Sequence, residues 1–84
     1  MKDVKLYKIL HRPSGLYYRP GSVNLAERGK TYLNKPTVKH ISLNYIKVAD
    51  KHLQLMSEKG IEVERRGYCN TIESKEEDFE IVEI

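Results

Sequence analysis

The sequence predicts a small α+β domain, in which an N-terminal hairpin and C-terminal strands form a mixed or antiparallel sheet around a central helical segment. Three observations support this fold class. Val4–Leu10 alternates and is followed by a turn, the apolar residues from Val38 to Met56 recur at helical spacing, and Phe79–Ile84 is strand-like. Eighty-four residues suit one domain, which we place at residues 1–84.

The N-terminal part is predicted to be a β-hairpin followed by a loop. The turn is His11–Gly15, where a proline presets the first corner and a glycine supplies a positive φ. Leu16–Arg19 then returns as the second strand. After a Pro-Gly break, Asn24–Glu27 is expected to form one helical turn, and Thr31–Leu33 a short third strand.

The central segment is predicted to be helical. Asn34 can cap a helix that has Pro36 in its first turn. Since Ser42–Val48 is poor in strong helix formers, two possibilities stay open: one helix over about 36–59, or two meeting near 43–50. Gly60 is expected to end the helix. The apolar positions are three or four residues apart: Val38, Ile41, Tyr45, Val48, His52 and Met56.

The C-terminal part is predicted to be extended, apart from one helical turn. Ile61–Glu64 alternates as a strand, and after a turn at 65–67 the segment Tyr68–Ile72 is extended. Ser74–Glu77 has the form of a capping box, which predicts the helical turn. Phe79–Ile84 is the last strand, and we place it beside the first strand, where its glutamates could face lysines 5 and 8.

The charge is distributed unevenly along the chain. Residues 1–52 carry eleven Lys and Arg against three acidic residues, a balance of +8, whereas residues 67–84 carry one lysine against six acidic residues, a balance of −5. The basic part can attract an anionic partner such as nucleic acid. The acidic end can pair with the basic part of the same or another copy. The alternative is an ordinary soluble surface with many salt bridges.

Several classes of protein are excluded by what the sequence lacks. No apolar run approaches the ~20 residues that span a bilayer, and no hydrophobic signal core follows the N-terminus, so we expect no membrane contact and a cytoplasmic location. The single Cys69 agrees with that compartment, and we expect it to be a half-buried packing residue.

No enzyme motif is present, so we predict a binding protein that has no catalytic residue, no metal and no cofactor. The five glycines are isolated and form no phosphate-binding loop, and the three histidines are not at metal-ligand spacing. The less favoured alternative is a small phosphate-handling enzyme. His11 is the first candidate for its general base, because it lies in a turn beside Arg12.

A basic, tyrosine-rich segment from Lys5 to Lys39 is the predicted binding surface. Lys and Arg neutralise phosphates, and tyrosine rings offer faces for unpaired bases, so this combination predicts a single-stranded RNA surface. Strand alternation places Tyr17 and Arg19 on one face and Tyr18 on the other. The candidate residues are Lys8, His11, Arg12, Tyr17, Tyr18, Arg19, Arg28, Lys30, Lys35 and Lys39.

Two other interpretations of this surface stay open. The basic residues could form an electrostatic interface with another protein. The tyrosines could also be ordinary strand residues, with Arg12 and Arg19 paired to glutamates 62 and 64 of a neighbouring strand.

The strings LYKILHRPSGLYYRP and NLAERGKTYLNKPTVKHI, within residues 5–41, resemble a group of small accessory proteins of T4-like bacteriophages. The shared residues are largely turn and strand residues, so the resemblance assigns no functional site. It implies a protein that inhibits a host defence factor, such as a toxin endoribonuclease of the ToxN kind, while contacting RNA. A protein-only inhibitor of another host enzyme is the alternative.

Exposed edge strands on so small a sheet make a homodimer possible.

Overall fold

A seven-stranded sheet dominates the computed structural model, which describes residues 4–41 and 45–84. The strand order is β5–β6–β4–β3–β2–β1–β7, and every neighbouring pair is antiparallel except β3 and β4. The predicted α+β class is therefore confirmed. The strands are β1 (Tyr7–His11), β2 (Leu16–Tyr18), β3 (Leu25–Ala26), β4 (Ile46–Val48), β5 (Glu64–Arg66), β6 (Cys69–Ile72) and β7 (Phe79–Glu83).

Helical structure in the described residues is limited to one short α-helix and three 3₁₀ turns. The helix α1 is Leu53–Glu58, and the turns are Val38–His40, Asp50–His52 and Glu76–Asp78. None of these helices is long and apolar enough to cross a membrane, as judged on the described part of the chain.

The predicted hairpin and the predicted position of the last strand are both confirmed. β1 and β2 pair antiparallel, with Leu10 opposite Tyr17, and Gly15 in the turn has a φ of 76°. β7 pairs with the other side of β1, from Tyr7 opposite Glu83 to His11 opposite Phe79. The glutamates of β7 therefore face Tyr7 and Leu10, and the expected register against lysines 5 and 8 is wrong.

The core lies on one side of the sheet, which we call the inner face. Side chains alternate along each strand, so the buried apolar residues of the strands share this face and meet Met56 of α1 there. Fully burying side chains of this size stabilises the fold by about 1.5–3 kcal/mol each. The opposite, outer face carries Lys8, Leu10 and Tyr17 from the hairpin and Lys47 from β4. The core residues are Ile9, Leu16, Leu25, Ile41, Ile46, Val48, Met56, Ile72 and Phe79.

The helical segment is much shorter than predicted. Ile46–Val48 is strand β4, with Ile46 and Val48 buried and Lys47 exposed, so neither the single helix over 36–59 nor the pair of helices forms. β-branched residues at alternating positions favour a strand here. The helical spacing of the apolar residues arose because three short elements each supply part of the core. Residues 43–44, at the start of the junction expected near 43–50, lie outside the described residues.

Three local predictions in the loops are also wrong. Asn24–Glu27 is not a helical turn, because Leu25–Ala26 forms β3 between β2 and β4. The third strand expected at 31–33 is reduced to a bridge between Tyr32 and Tyr7. The 3₁₀ turn at Val38–His40 begins after Thr37 and has no side-chain cap, so Asn34 does not cap a helix.

The contact between β3 and β4 is short, and it joins two antiparallel halves of the sheet. Leu25 pairs with Val48, and the Asn24 N–H donates to the Lys47 carbonyl at 2.9 Å. The Lys47 N–H donates in return to Asn24 Oδ1 at 3.0 Å. A side-chain amide thus extends the pairing where the backbone of β3 ends.

The C-terminal elements are shifted from their predicted positions by a few residues. Strand β5 is Glu64–Arg66 rather than 61–64, and the turn moves to Gly67, which has a φ of 59°. The extended segment ending at Ile72 and the half-buried Cys69 are confirmed. The predicted helical turn forms two residues later, at Glu76–Asp78, where an Asp78 carboxylate oxygen accepts from the Lys75 N–H at 2.9 Å.

Candidate nucleic-acid interface

Three cationic side chains surround a shallow depression of about 460 Å³ beyond the end of β2. Arg19, Arg28 and Lys30 line it together with Pro20 and Gly29, and we call it the basic depression. Within residues 4–41 and 45–84, no ion pair joins any of these three cations to a carboxylate. The depression therefore presents uncompensated positive charge, which suits an anionic ligand.

A close approach of the backbone at Gly29 brings these cations together. A Cβ atom at this position would lie 2.5 Å from Tyr17 Cβ and 2.9 Å from the Tyr18 carbonyl oxygen, so glycine lets the loop cross β2. The Lys30 N–H donates to the Tyr18 carbonyl at 3.2 Å and fixes the crossing. Arg28 and Lys30 consequently flank the point where Arg19 leaves the strand.

Tyr17 lies on the outer face and Tyr18 on the inner face, as the alternation predicted. The Lys8 Nζ is 5.4 Å from the centroid of the Tyr17 ring, a cation–π geometry. The Tyr18 ring packs at 86° to Phe79, with centroids 6.4 Å apart. Both tyrosines are half-buried, and of the two only Tyr17 presents its ring on the outer face.

Tyr32 adds a second aromatic ring near the depression. The Lys30 Nζ is 5.3 Å from its ring centroid. Burial raises the pKa of the Tyr32 hydroxyl, and the neighbouring Tyr18 hydroxyl raises it further. The Tyr32 hydroxyl therefore stays protonated at neutral pH, so it adds no negative charge beside the cations.

His11 is a core residue, so its proposed roles at the surface are not supported by its position. Its side chain is 1% exposed, its Nδ1 lies 2.7 Å from Ser14 Oγ, and its ring packs 5.2 Å from Phe79. Burial lowers the pKa of His11 below 6.5, although Asp78 opposes the shift. We therefore leave His11 out of the binding surface.

Arg12 is engaged by the acidic C-terminal part rather than by the basic depression. Its Nη1 donates to the Glu77 carbonyl at 3.1 Å, and its Nε lies 3.7 Å from the Glu80 carboxylate. Pairing with glutamates 62 and 64 is therefore wrong for Arg12, and Arg19 has no ion pair among the described residues. Part of the basic surplus is neutralised within the fold.

The last two predicted cations are exposed: Lys35 lies before the turn Val38–His40, and Lys39 lies within it. Neither lines the basic depression. Of the ten candidate residues, the structure thus brings Arg19, Arg28 and Lys30 together at one depression, and it places Tyr17, with Lys8 over its ring, next to Gly29 of that depression.

A second cavity of about 370 Å³, which we call the cleft, adjoins the basic depression and was not predicted. Arg19 and Pro20 line both cavities. The other walls come from the loop before β3, from β3 and from the turn after β4, so the parallel pair β3–β4 creates the cleft. They are Gly21, Ser22, Val23, Leu25, Ala26, Ala49, Lys51 and His52.

His52 is the unusual residue of the cleft. It is 4% exposed, and both of its ring nitrogens are buried without a hydrogen-bond partner. The nearest carboxylate oxygen, Glu27 Oε1, is 3.7 Å from Nε2, which is longer than a hydrogen bond. Leaving buried polar groups unsatisfied costs about 1–3 kcal/mol each. The sequence analysis did not identify His52 as a site residue, because it placed His52 among the core positions of the expected helix.

Comparisons with known proteins add no assignment to this geometry. The part of the chain that the structure describes contains no group of three or more His, Cys, Asp or Glu side chains that could hold a metal ion. No protein-family model matches the sequence, no curated protein is significantly similar to it, and no solved structure matches its fold. The resemblance to proteins of T4-like bacteriophages stays a prediction.

Proposed function

We propose that this protein binds single-stranded RNA across the outer side of its hairpin, with phosphates held at the basic depression. The observation that carries the proposal is the cluster of Arg19, Arg28 and Lys30, none of which is paired with a carboxylate in the described residues. Lys and Arg side chains bind phosphates and release the counterions around them, whatever the base sequence. Three adjacent cations can follow successive phosphates of one strand.

The aromatic surface beside the cations favours a single strand over a duplex. Tyr17 lies on the outer face next to the loop that carries Arg28 and Lys30. An unpaired base can stack on the free part of a tyrosine ring, with a contribution of about 1–3 kcal/mol. Bases within a duplex are already stacked on one another and cannot use this ring.

In this proposal, RNA binding serves the inhibition of a host defence factor in the cytoplasm. The resemblance to phage accessory proteins supports this role and suggests a toxin endoribonuclease as the target. No catalytic step is assigned to the protein itself. Bound RNA and the nuclease would meet at the basic depression, while the acidic residues of β7, the strand that pairs with β1, would limit the RNA surface on that side of the hairpin.

A protein-only inhibitor is the second candidate, and the edge strand β5 favours it. All three residues of β5 are exposed, and β6 is its only neighbour in the sheet of described residues. A free edge can accept a strand from a partner protein. Inhibition that persists unchanged after nuclease treatment would support this candidate and contradict the RNA proposal.

Fluorescence anisotropy with short single-stranded RNA, measured over a series of salt concentrations, tests the RNA proposal. We expect log K to fall with log salt, and Arg19→Ala, Arg28→Ala and Lys30→Ala each to flatten the slope by about 0.7. Arg12→Ala is the matched control, because it removes the same charge at a site already paired with Glu80.

Two results would contradict the proposal. One is the absence of RNA binding by the wild-type protein at low salt. The other is an equal loss of affinity in Arg12→Ala and Arg19→Ala, which would mean that only net charge matters and that the basic depression is not a site.

A further inference from the structure

We propose that the cleft receives one unstacked nucleobase of the bound RNA strand and that His52 and Glu27 recognise its polar edge. This inference rests on the proposed RNA binding and adds a subsite with base preference to it. Proteins that recognise single-stranded RNA commonly turn single bases out of the strand and read their edges by hydrogen bonds.

The dimensions and walls of the cleft suit a flat, largely apolar ring. Its volume of about 370 Å³ is within the ~300–1,000 Å³ range of sites for small molecules. Pro20, Val23, Leu25 and the two alanines supply apolar walls, while the charged side chains of Arg19 and Lys51 belong to the same lining. An apolar pocket with a few polar groups is the usual composition of a site for a heterocycle.

His52 supplies the polar groups that such a ring needs. A neutral imidazole has one nitrogen that donates and one that accepts, and neither nitrogen of His52 has a hydrogen-bond partner. Glu27, whose side chain is 73% exposed, lies 3.7 Å from Nε2 and can accept hydrogen bonds. A carboxylate beside the imidazole favours bases with an exocyclic amino group. The single N–H donor on the polar edge of uracil lies between two carbonyl oxygens, which a carboxylate repels, so uracil should be the poorest occupant.

Arg19 connects this subsite to the basic depression. Its side chain lines both cavities, so one guanidinium can hold the phosphate that joins a nucleotide in the cleft to its neighbour on the depression. Lys51 also lines the cleft, and in this arrangement it would contact the next phosphate. The strand would thus cross from the outer face of the hairpin to the turn that follows β4.

The test compares adenine, cytosine and uracil homopolymers with an abasic oligonucleotide of the same length, by anisotropy at fixed salt. The wild-type protein should bind the adenine or cytosine strand about tenfold more tightly than the abasic strand, with uracil between them. Ala49→Leu, which fills the cleft and keeps all three cations of the basic depression, should bring all four affinities together. The salt slope of this variant, measured in a separate salt series, should stay that of the wild type. Ser57→Leu adds comparable bulk at an exposed position of α1 and should keep the preference.

The outcomes separate the two proposals. If the wild-type protein binds no oligonucleotide, the proposed function fails. If it binds the abasic strand as tightly as the others, or if Ala49→Leu keeps the base preference, RNA binding stands and the base subsite is rejected.

A measurement on the wild-type protein covers the case in which Ala49→Leu does not fold. Adenosine monophosphate should shift the ring-nitrogen resonances of His52 in NMR spectra and leave those of His11, which is bonded to Ser14, in place. Unchanged His52 resonances at saturating nucleotide would overturn the inference.

Discussion

The polar side chains near the two ends of strand β2 differ in whether they have hydrogen-bond or ion-pair partners. At the turn end, His11 is bonded to Ser14, and Arg12 is held by Glu77 and Glu80. At the other end, Arg19 and Arg28 have no ion pair among the described residues, and the buried ring of His52 has no hydrogen bond. The turn end therefore pairs its polar side chains within the protein, whereas the other end has two exposed arginines without an ion pair and a buried histidine without a hydrogen bond.

This difference separates residues that stabilise the fold from residues that are available to a ligand. Buried polar groups in native proteins are nearly always hydrogen-bonded, and an exception calls for an explanation. The buried imidazole of His52 without a hydrogen bond lowers stability, and such a cost beside exposed, unpaired cations is typical of a binding site rather than of a scaffold. We expect substitutions at the two ends to act on stability with opposite sign.

The largest change in stability should come from Ser14→Ala at the turn end. The Ser14 hydroxyl lies 2.7 Å from His11 Nδ1 and accepts from the Leu16 N–H at 3.2 Å, so its loss leaves two buried groups without a partner. We expect the free energy of unfolding in urea to fall by about 1–3 kcal/mol. Ser22→Ala, in an exposed loop, is the control and should change little. Equal losses in the free energy of unfolding for the two substitutions would contradict the view that the hydrogen bonds at the turn end stabilise the fold.

His52→Phe should act in the other direction, by a smaller amount. Phenylalanine has a similar shape and no ring nitrogen to satisfy, so we expect the free energy of unfolding to stay level or rise by about 1 kcal/mol. Base preference should be lost at the same time. A clear destabilisation, comparable to that of Ser14→Ala, would show that the nitrogens of His52 do have a stabilising partner and would undo the comparison.

Acid should weaken the turn end through His11. Burial lowers the pKa of its imidazole below 6.5 in the folded state, so the unfolded chain takes up this proton first as the pH falls. The contribution is complete above pH 6.5 and is lost as the pH falls through the lowered folded pKa. Urea unfolding over this range should show the loss, and His11→Phe should remove that part of the slope. An unchanged slope in the variant would assign the acid sensitivity to other groups.

The smallest effect is expected from Arg12→Ala. Its ion pair with Glu80 is about half exposed on both sides, at 57% and 50% of the side-chain surface. Solvent and salt screen such a pair, so we expect a loss of about 0–1 kcal/mol that shrinks further in high salt. Glu80→Gln should give a similar value in the same unfolding assay. A loss as large as that of Ser14→Ala would mean that the pair also orders the acidic turn.

The sequence predicted the parts of the fold that depend on neighbouring residues. The hairpin turn contains its own proline and glycine, and Phe79–Glu83 alternates clearly enough to be placed beside β1. The prediction of a helix in the central segment was wrong, because the apolar residues at helical spacing belong to separate short elements. Val38 lies in a 3₁₀ turn, Val48 in a strand and Met56 in α1, and only the folded chain brings them into one core.

The sequence predicted which residues give the candidate site its positive charge, but it did not predict which of them form ion pairs. Composition identified Arg12 and Arg19 equally, yet Arg12 meets Glu80 from a strand that is distant along the chain. His52 could not be singled out, because its lack of partners depends on where β3 and β4 pair. Local chemistry can therefore be inferred from residue types, whereas the free or paired state of a side chain requires the tertiary structure.

The short parallel junction between β3 and β4 has a consequence for motion. Among the described residues, the pairing of Leu25 with Val48 and the two hydrogen bonds between Asn24 and Lys47 hold the two halves of the sheet together along their backbones. This seam should therefore open more often than the longer pairing of β1 with β7. Amide hydrogens at Asn24 and Lys47 should exchange faster than those of Ile9. The walls of the cleft come from both sides of the seam, so a molecule bound in the cleft would contact both halves of the sheet and hold them together. Slower exchange at these two amides would therefore indicate that the cleft is occupied.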